Sequence, residues 1–371
     1  MQIDFHYYAT NCAAFLAGYS YGEALNLCSS AQFVDCCSRT YLQEVKASPE
    51  AATTQLNTEL MNHRTDLVGL QEITRIWTSF HFLPYDLCAD TPRRTTAAYR
   101  NKFRLIAGPD GALVKDTVEL AKGKGTEAAG LAMHVLADTW AHRYFAGTPS
   151  LVINNTNYHF FELLKGGEAE VWRAVKFRHS ASQSDDLQQG LYVNTMYRAR
   201  EHSVMNLGHG RAGHLPDYSF MIYRYLPAWA GYAEIVKDNP ADYYRAFCQM
   251  IYAMKYLRGV NECFVTEQYD TEAAKPFEEE IHRILKERRA DASADWKALG
   301  ERMWGREIPE FREKTFAEEY RSAAPEEKQD TFLGRFIQAA LSQKSMVAGK
   351  IYASGNLLAG VAGVRPGKGK Q

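Results

Sequence analysis

The stretch HVLADTWAH, residues 134–142, determines how the rest of the chain is interpreted. It lies in a segment whose apolar spacing predicts a buried helix, yet His134, Asp138 and His142 recur every four residues. Each helical residue advances by about 100°, so the three side chains lie on one side of the helix and drift by only about 40° per step. The stretch therefore predicts a core helix that carries a row of potential metal ligands.

Two explanations fit this row. Neighbouring members are about 6 Å apart along the helix, so Asp138 can share one ion with His134 and another with His142, whereas one ion reaching all three is much harder. Burying Asp138 without a partner would cost several kcal/mol, and either a cation or structural Asp–His hydrogen bonds would offset that cost. The motif alone leaves both open, and a metal site here would hold two ions with Asp138 between them.

Other segments supply further candidate ligands, mostly in apolar or glycine-rich surroundings. They are Asp4 and His6 in MQIDFHYY, Asp35 in AQFVDCC, His81 in SFHFLPY, and His209, His214 and Asp217 in HGRAGHLPD. Scattered His/Asp sets of this kind are typical of catalytic zinc sites, which keep one position open for water. Together they favour a metal centre.

Composition narrows the class of protein. The chain has 371 residues, 46% of them hydrophobic, and a net charge of -1, so the molecule as a whole has no bias toward nucleic acid or acidic lipid. The opening residues do not resemble a signal peptide, and no apolar run is long enough to span a membrane. The 7 cysteines are irregularly spaced and contain no CxxC pair, which indicates reduced thiols. We expect a cytoplasmic protein, and an oligomer remains open.

The pattern along the chain predicts a mainly α fold, a single helical domain around a multinuclear metal cleft. Residues 114–145 form a helical segment with a break near Gly123 and Gly125, and residues 150–200 form a short irregular or β excursion. We expect three regions: a metal-binding helical core at 1–260, a charged helical extension packed on the core at 261–342, and a partly ordered basic tail at 343–371.

The set of candidate ligands resembles that of the zinc-dependent phospholipase C and S1/P1 nuclease superfamily. The matching residues are the helical His-x-x-x-Asp at 134–138, the His at 142, the N-terminal His6, and the upstream Asp35 and His81. The resemblance covers roughly residues 1–225. It implies an α-helical protein that binds two or three zinc ions and hydrolyses phosphoesters. The opening MQIDFHYY, with HFLP and GHGRAGHLPD, also resembles a bacterial family of unassigned function.

The resemblance assigns roles to individual residues. His6, His81, His134 and His142 correspond to ligands, Asp138 to the carboxylate that bridges ions, and Asp35 to a ligand that is also a candidate base. His209 or His214, with Asp217, would complete the last zinc, and Asp4 would replace the N-terminal amine that the superfamily uses as a ligand. Here the last ligands lie in a Gly/Pro loop, whereas the superfamily carries a His-x-x-x-Glu pair on a helix.

The predicted function is therefore metal-dependent hydrolysis of a phosphoester, with catalytic roles for Asp35, Asp138 and Arg143. Zinc is the expected metal, and other divalent ions remain possible. The substrate is expected to be a nucleotide, a nucleic acid or a phospholipid head group, held by an arginine such as Arg143. Two alternatives stay open: a non-catalytic helical scaffold with a structural metal site, and a zinc-dependent acyl or amide hydrolase.

Overall fold

A computed structural model describes residues 1–47, 50–56, 67–91, 95–166, 169–178, 184–194 and 208–360. The α-helices are α1 (Thr10–Leu16), α2 (Tyr21–Phe33), α3 (Arg39–Glu44), α4 (Leu67–Phe80), α5 (Ala97–Phe103), α6 (Ala112–Ala121), α7 (Gly125–Ala141), α8 (Leu151–Asn154), α9 (His209–Ala212), α10 (Asn239–Leu257), α11 (Thr271–Ala274), α12 (Glu278–Lys286), α13 (Ser293–Trp304), α14 (Glu313–Ser322) and α15 (Phe332–Ala353). The strands are β1 (Phe160–Gly166), β2 (Ala169–Ala174), β3 (Lys176–Arg178), β4 (Leu191–Val193), β5 (Ile222–Tyr225) and β6 (Ile235–Asp238). The prediction of a mainly α fold with a short β excursion is confirmed.

Helix α7 lies at the centre of the fold. Every residue from Glu127 to its end at Ala141 is buried, and the helix packs against α2, α10, α6 and α15. It approaches α2 so closely that a Cβ atom added to Gly130 would lie 2.1 Å from the carbonyl oxygen of Leu27. The predicted break before α7 occurs where Gly123 and Gly125 adopt positive φ angles of 74° and 88°. The polar row of α7 is therefore enclosed by other helices.

The β excursion is an antiparallel sheet in the order β2-β1-β5-β6, beside the parallel pair β3-β4. In β1, Phe160 pairs with Tyr225 of β5. Phe160, Tyr223 and Tyr225 are buried in an apolar cluster separate from the main core. The sheet extends beyond the predicted range of 150–200 because β5 and β6 follow the HGRAGHLPD loop and pair with β1 and with each other. The sheet thereby holds this loop against the helical core.

The C-terminal helices are part of the main core. Trp296 and Leu299 of α13 are fully buried, and Trp296 contacts Phe5 edge to face. Helix α15 packs against α4 and α7 and runs without a break through the predicted boundary at 342–343. The basic tail beyond residue 360 lies outside the described residues. Residues from both ends of the chain therefore enclose α7.

No helix in the described part of the chain combines the length and the apolar character needed to cross a bilayer.

Candidate metal centre

Imidazoles from three separate segments surround the carboxylate of Asp138, whose side chain is 1% exposed. Its Oδ2 atom lies 3.1 Å from His81 Nδ1 and 3.2 Å from His134 Nε2. Its Oδ1 atom lies 3.2 Å from His6 Nε2. One cluster thus combines residues from the N-terminal turn, the position after α4 and the core helix α7.

Local structure explains these positions. His6 lies in a π-helical turn, Asp4–Ala9, a widened geometry that is frequent at functional sites. His81 directly follows the last residue of α4, Phe80, and Asp35 follows the end of α2. His134 and Asp138 are one turn apart on α7, and His142 is the C-cap of that helix, where its N–H donates to the carbonyl oxygen of Asp138.

The first group of ligands surrounds Asp35 and Asp138. Asp35 lies 3.9 Å from His6 Nε2 and 3.9 Å from His81 Nδ1, and a quarter of its side chain is exposed. Potential ligand atoms lie within 4.8 Å of one another in the set His6, His134 and Asp138, and also in the set Asp35, His81 and His134. Because His134 belongs to both sets and has one nitrogen facing them, the two sets describe overlapping positions for an ion.

The second group consists of His142, His209 and Asp217, whose potential ligand atoms also lie within 4.8 Å of one another. Asp217 lies 3.2 Å from His142 Nε2 and 3.3 Å from His209 Nε2. The two groups adjoin, because His142 Nδ1 is 3.5 Å from Asp138 Oδ2. Each group can hold a metal ion, and Asp138 lies beside both.

In His134 and His81, the ring nitrogen that faces away from Asp138 donates a hydrogen bond to a backbone carbonyl, and the other ring nitrogen faces Asp138. His134 Nδ1 donates to the carbonyl oxygen of Ala31 at 2.8 Å, and His81 Nε2 donates to that of Thr54 at 3.0 Å. A carbonyl oxygen can only accept, so in a neutral ring the other nitrogen carries a lone pair that faces Asp138 Oδ2. An acceptor nitrogen and a carboxylate oxygen repel each other, so either a metal ion or a proton must lie between them. Histidines that bind metals characteristically donate their other N–H in this way.

His6 provides an independent indication of a ligand. The side chain is 1% exposed and its ring stacks on that of His134 at 3.9 Å. Neither ring nitrogen of His6 makes a well-aligned hydrogen bond within the described part of the chain, although Nε2 lies 3.2 Å from Asp138 Oδ1. A poorly satisfied buried polar atom costs free energy, and a metal ion at Nε2 would remove that cost.

The α-amino group of Met1 lies between the two groups of ligands. It is fully buried, 3.0 Å from Asp138 Oδ1 and 3.1 Å from Asp217 Oδ1. Burial alone would lower the pKa of this amine, but the carboxylates of Asp138, Asp217 and Asp35 raise it to about 11. Its ammonium form therefore occupies a place suited to a cation. The residue patterns gave no signal for this contact.

The electrostatics of the cluster suit metal binding. Burial raises the pKa of Asp138 and of Asp217, but nearby imidazoles and the Met1 amine outweigh it and hold both pKa values well below the usual range. Burial lowers the pKa of His6 strongly and that of His142 to about 4. Ionised carboxylates and neutral imidazoles are the forms that bind metals.

Asp35 and His81 deviate from this pattern. Burial raises the pKa of Asp35. Burial would lower the pKa of His81, but its hydrogen bond with Asp138 raises it overall. A proton on His81 Nδ1 lies in the gap toward Asp138 that a cation would otherwise take.

Three predicted site residues are not brought to this cluster. Asp4 Oδ1 accepts from the N–H of Phe5 at 2.8 Å, and its Oδ2 accepts from that of Ala292 at 3.3 Å, so it anchors the segment before α13. His214 Nδ1 bonds to Asp185 at 3.0 Å. Arg143 follows the C-cap of α7, and its guanidinium lies 3.6 Å from the carboxylate of Asp242.

Residues 1–351 match the model of a family of unknown function, DUF6765. No curated protein and no solved structure matches the chain at a significant level. Nothing in these comparisons links the chain to the phospholipase C and S1/P1 nuclease superfamily. Because the match covers almost the whole sequence, the chain belongs to the DUF6765 family.

Proposed function

We propose that this protein is a zinc-dependent hydrolase of phosphoester bonds. The observation that carries the proposal is the convergence of two ligand groups on Asp138, each with at least one member that reaches solvent. The most exposed members are Asp35, with 25% of its side chain exposed, and His209, with 23%. A catalytic metal site leaves a position open toward solvent, whereas a structural site is closed by protein ligands.

Zinc is the proposed metal because the donors are imidazole nitrogens and carboxylate oxygens, which are among its usual ligands, and because the superfamily that the motifs resemble uses zinc. Two ions fit the two groups of ligands, with Asp138 between them, and a third is an extension that the superfamily resemblance suggests. Manganese, iron and other divalent ions accept similar ligands and are alternatives.

Different residues of the chain have different roles in the proposed hydrolysis. Bound divalent ions lower the pKa of water toward 7 and stabilise negative charge on a phosphoryl oxygen. Asp35 is the residue best placed to accept the proton of the attacking water, because it is both near the ligands and partly exposed. Asp138 holds the two groups of imidazoles in register. The backbone carbonyls of Ala31 and Thr54 fix the rings of His134 and His81.

The choice of a phosphoester depends on the resemblance of the ligand motifs, and the substrate class we expect is a nucleotide, nucleic acid or phospholipid head group. The predicted phosphate-binding role of Arg143 is not part of this proposal. Arg143 lines a separate cavity to which none of the candidate ligands contributes.

Hydrolysis of three chromogenic substrates tests the proposal. Protein purified without a metal resin would be loaded with zinc and assayed on bis(4-nitrophenyl) phosphate, 4-nitrophenyl phosphate and 4-nitrophenyl acetate. We expect phosphoester hydrolysis that falls about 100-fold or more in Asp35→Asn, the loss typical of a general base. Asp217→Asn should also lose activity, whereas His282→Gln, whose ring packs against Tyr244 on α10, should not.

Each other outcome has a defined meaning. Hydrolysis of the acetate ester alone would favour the acyl hydrolase. Phosphoester hydrolysis that Asp35→Asn and Asp217→Asn leave unchanged would refute the assignment of this site.

A structural metal site is the second candidate, and the deep burial of His6, His134 and Asp138 favours it. In that case zinc would be bound in stoichiometric amounts, its removal would destabilise the protein, and none of the three substrates would be hydrolysed.

A further inference from the structure

A second candidate site lies on another side of α7. It is a cavity of about 380 Å³ between the end of α7, the turn before α6, α10 and the segment around Trp229. Small-molecule sites typically have volumes in this range. Six aromatic residues line it: Tyr85, Phe103, Trp140, Tyr144, Trp229 and Tyr269. None of the candidate metal ligands does, so the cavity is distinct from the metal centre.

One wall of the cavity is a pair of stacked rings held by an unusual backbone. The rings of Tyr144 and Trp229 are 5.9 Å apart at an angle of 29°, and Trp229 Nε1 donates to the carbonyl oxygen of Tyr144 at 2.9 Å. Tyr144 has a φ of 80°, a left-handed conformation that is rare for a bulky residue. Such strain persists where the surroundings fix it, and it concentrates at functional sites.

The floor of the cavity is pre-organised by a chain of hydrogen bonds. Trp140 Nε1 donates to Gln249 at 2.7 Å, and Gln249 Nε2 donates to Asp110 Oδ1 at 2.7 Å. Tyr269 donates its hydroxyl to Asp110 Oδ2 at 2.8 Å. Both oxygens of Asp110 are therefore engaged, and the two aromatic rings are fixed without a ligand.

Two arginines supply the charge that is available to a ligand. The Arg143 guanidinium lies above the Tyr144 ring, a third of its side chain is exposed, and its contact with Asp242 is long at 3.6 Å. Arg245 lines the same cavity and forms no hydrogen bond or ion pair with the part of the chain that the structure describes. Three acidic residues also line the cavity: Asp86 and Glu267 are exposed, as Arg245 is, and both oxygens of Asp110 accept the hydrogen bonds from Gln249 and Tyr269.

We propose that this cavity binds a small aromatic or heteroaromatic molecule that carries a carboxylate or phosphate group. The ring would stack on the wall formed by Tyr144 and Trp229, since offset and edge-on ring contacts are favourable. The anionic group would accept charge-assisted hydrogen bonds from Arg143 and Arg245, whose planar guanidinium groups match carboxylate and phosphate geometry. This inference is independent of the proposed hydrolysis, because it uses none of the candidate metal ligands.

Titration calorimetry with three matched probes tests the proposal. Indole-3-acetate, tryptophol and tryptamine share one ring system and carry a negative charge, no charge and a positive charge. We expect indole-3-acetate to bind about tenfold or more tightly than the other two, the difference that one charge-assisted hydrogen bond supplies. Acetate, which lacks the ring, should not compete.

Variants locate the binding. Arg143→Gln and Arg245→Gln should each weaken indole-3-acetate binding about tenfold, down to the level of tryptophol. Arg302→Gln, which removes an exposed arginine elsewhere, is the matched control and should bind as the wild type does. Trp229→Leu should abolish binding, and thermal melting checks that each variant is folded.

The proposal is wrong if no probe binds, if tryptophol or tryptamine binds as tightly as indole-3-acetate, or if the arginine and Trp229 variants retain wild-type affinity. Asp217→Asn should bind indole-3-acetate as the wild type does. Failure of this proposal would leave the hydrolase proposal unaffected, because none of the candidate metal ligands lines the cavity.

Discussion

Replacing Gly130 by alanine should damage both the stability of the fold and the metal centre. Gly130 lies where α7 crosses α2, and a Cβ atom there would lie 2.1 Å from the carbonyl oxygen of Leu27 and 2.7 Å from Ser30 Cβ. The nearer contact involves backbone, so no side-chain rotation relieves it. The two helices must separate.

The size of the effect follows from the distances. Ordinary van der Waals contact begins at 3.4 Å, so the contact with Leu27 must lengthen by 3.4 − 2.1 = 1.3 Å. If α2 moves as a unit, the 2.8 Å hydrogen bond from His134 to Ala31 is lost. Overpacking of this kind costs about 3 kcal/mol. Loss of a backbone partner to a ligand histidine should weaken metal binding at least about tenfold.

Urea unfolding and zinc titration of Gly130→Ala measure the two effects. Gly349→Ala is the matched control, because Gly349 lies within α15 and nothing lies within 4 Å of a Cβ added there. That control should stabilise the protein by up to about 1 kcal/mol, as helix propensity predicts, and should bind zinc normally. If Gly130→Ala were as stable as Gly349→Ala and bound zinc equally well, the close packing of α2 on α7 would be refuted.

Three further predictions concern the metal, a titrating pair and a buried carboxylate. Removing the metal with a chelator should lower the melting temperature, because zinc at a thousandfold excess over its Kd stabilises the folded state by about 4 kcal/mol. An unchanged melting temperature would contradict this prediction. The hydrogen bond to Asp185 raises the pKa of His214, so the stability lost in His214→Gln should be greatest below pH 6.5 and should vanish as the pH rises through the raised pKa. Urea unfolding at several pH values measures this loss, and a pH-independent difference would argue against the hydrogen bond. Glu162 is fully buried and pairs with Arg173 and Arg288, so Glu162→Gln should lower the free energy of unfolding by about 3 kcal/mol, as urea unfolding measures. A decrease below about 1 kcal/mol would show that these ion pairs contribute little to stability.

The sequence was informative where periodicity and polarity conflict. A polar row inside an apolar helix indicated that α7 is central and that Asp138 needs partners, and the structure places His6, His81 and His134 around it. Charged residues in apolar context also pointed to Asp35. In each case the cost of burial made the residue conspicuous.

Other site features depend on tertiary geometry that spacing does not encode. Asp4 and His214 are of residue types that bind metals, but Asp4 accepts hydrogen bonds from backbone N–H groups and His214 bonds to Asp185, so both have other partners. Arg143 follows His142 directly, yet it lies two residues beyond the end of α7, and its side chain contacts Asp242 instead of the cluster. The Met1 amine belongs to no side-chain pattern, and β5 and β6 became recognisable only through their pairing with β1.

Anomalous X-ray scattering at the zinc edge, from crystals of protein prepared without added metal, would show whether zinc binds between these residues. We expect at least two peaks at about 2.0–2.2 Å from their ligand atoms: one shared by Asp138 and His134, and one shared by Asp217 and His142. An absence of anomalous signal, with His81 and His134 bonded directly to Asp138, would contradict this expectation.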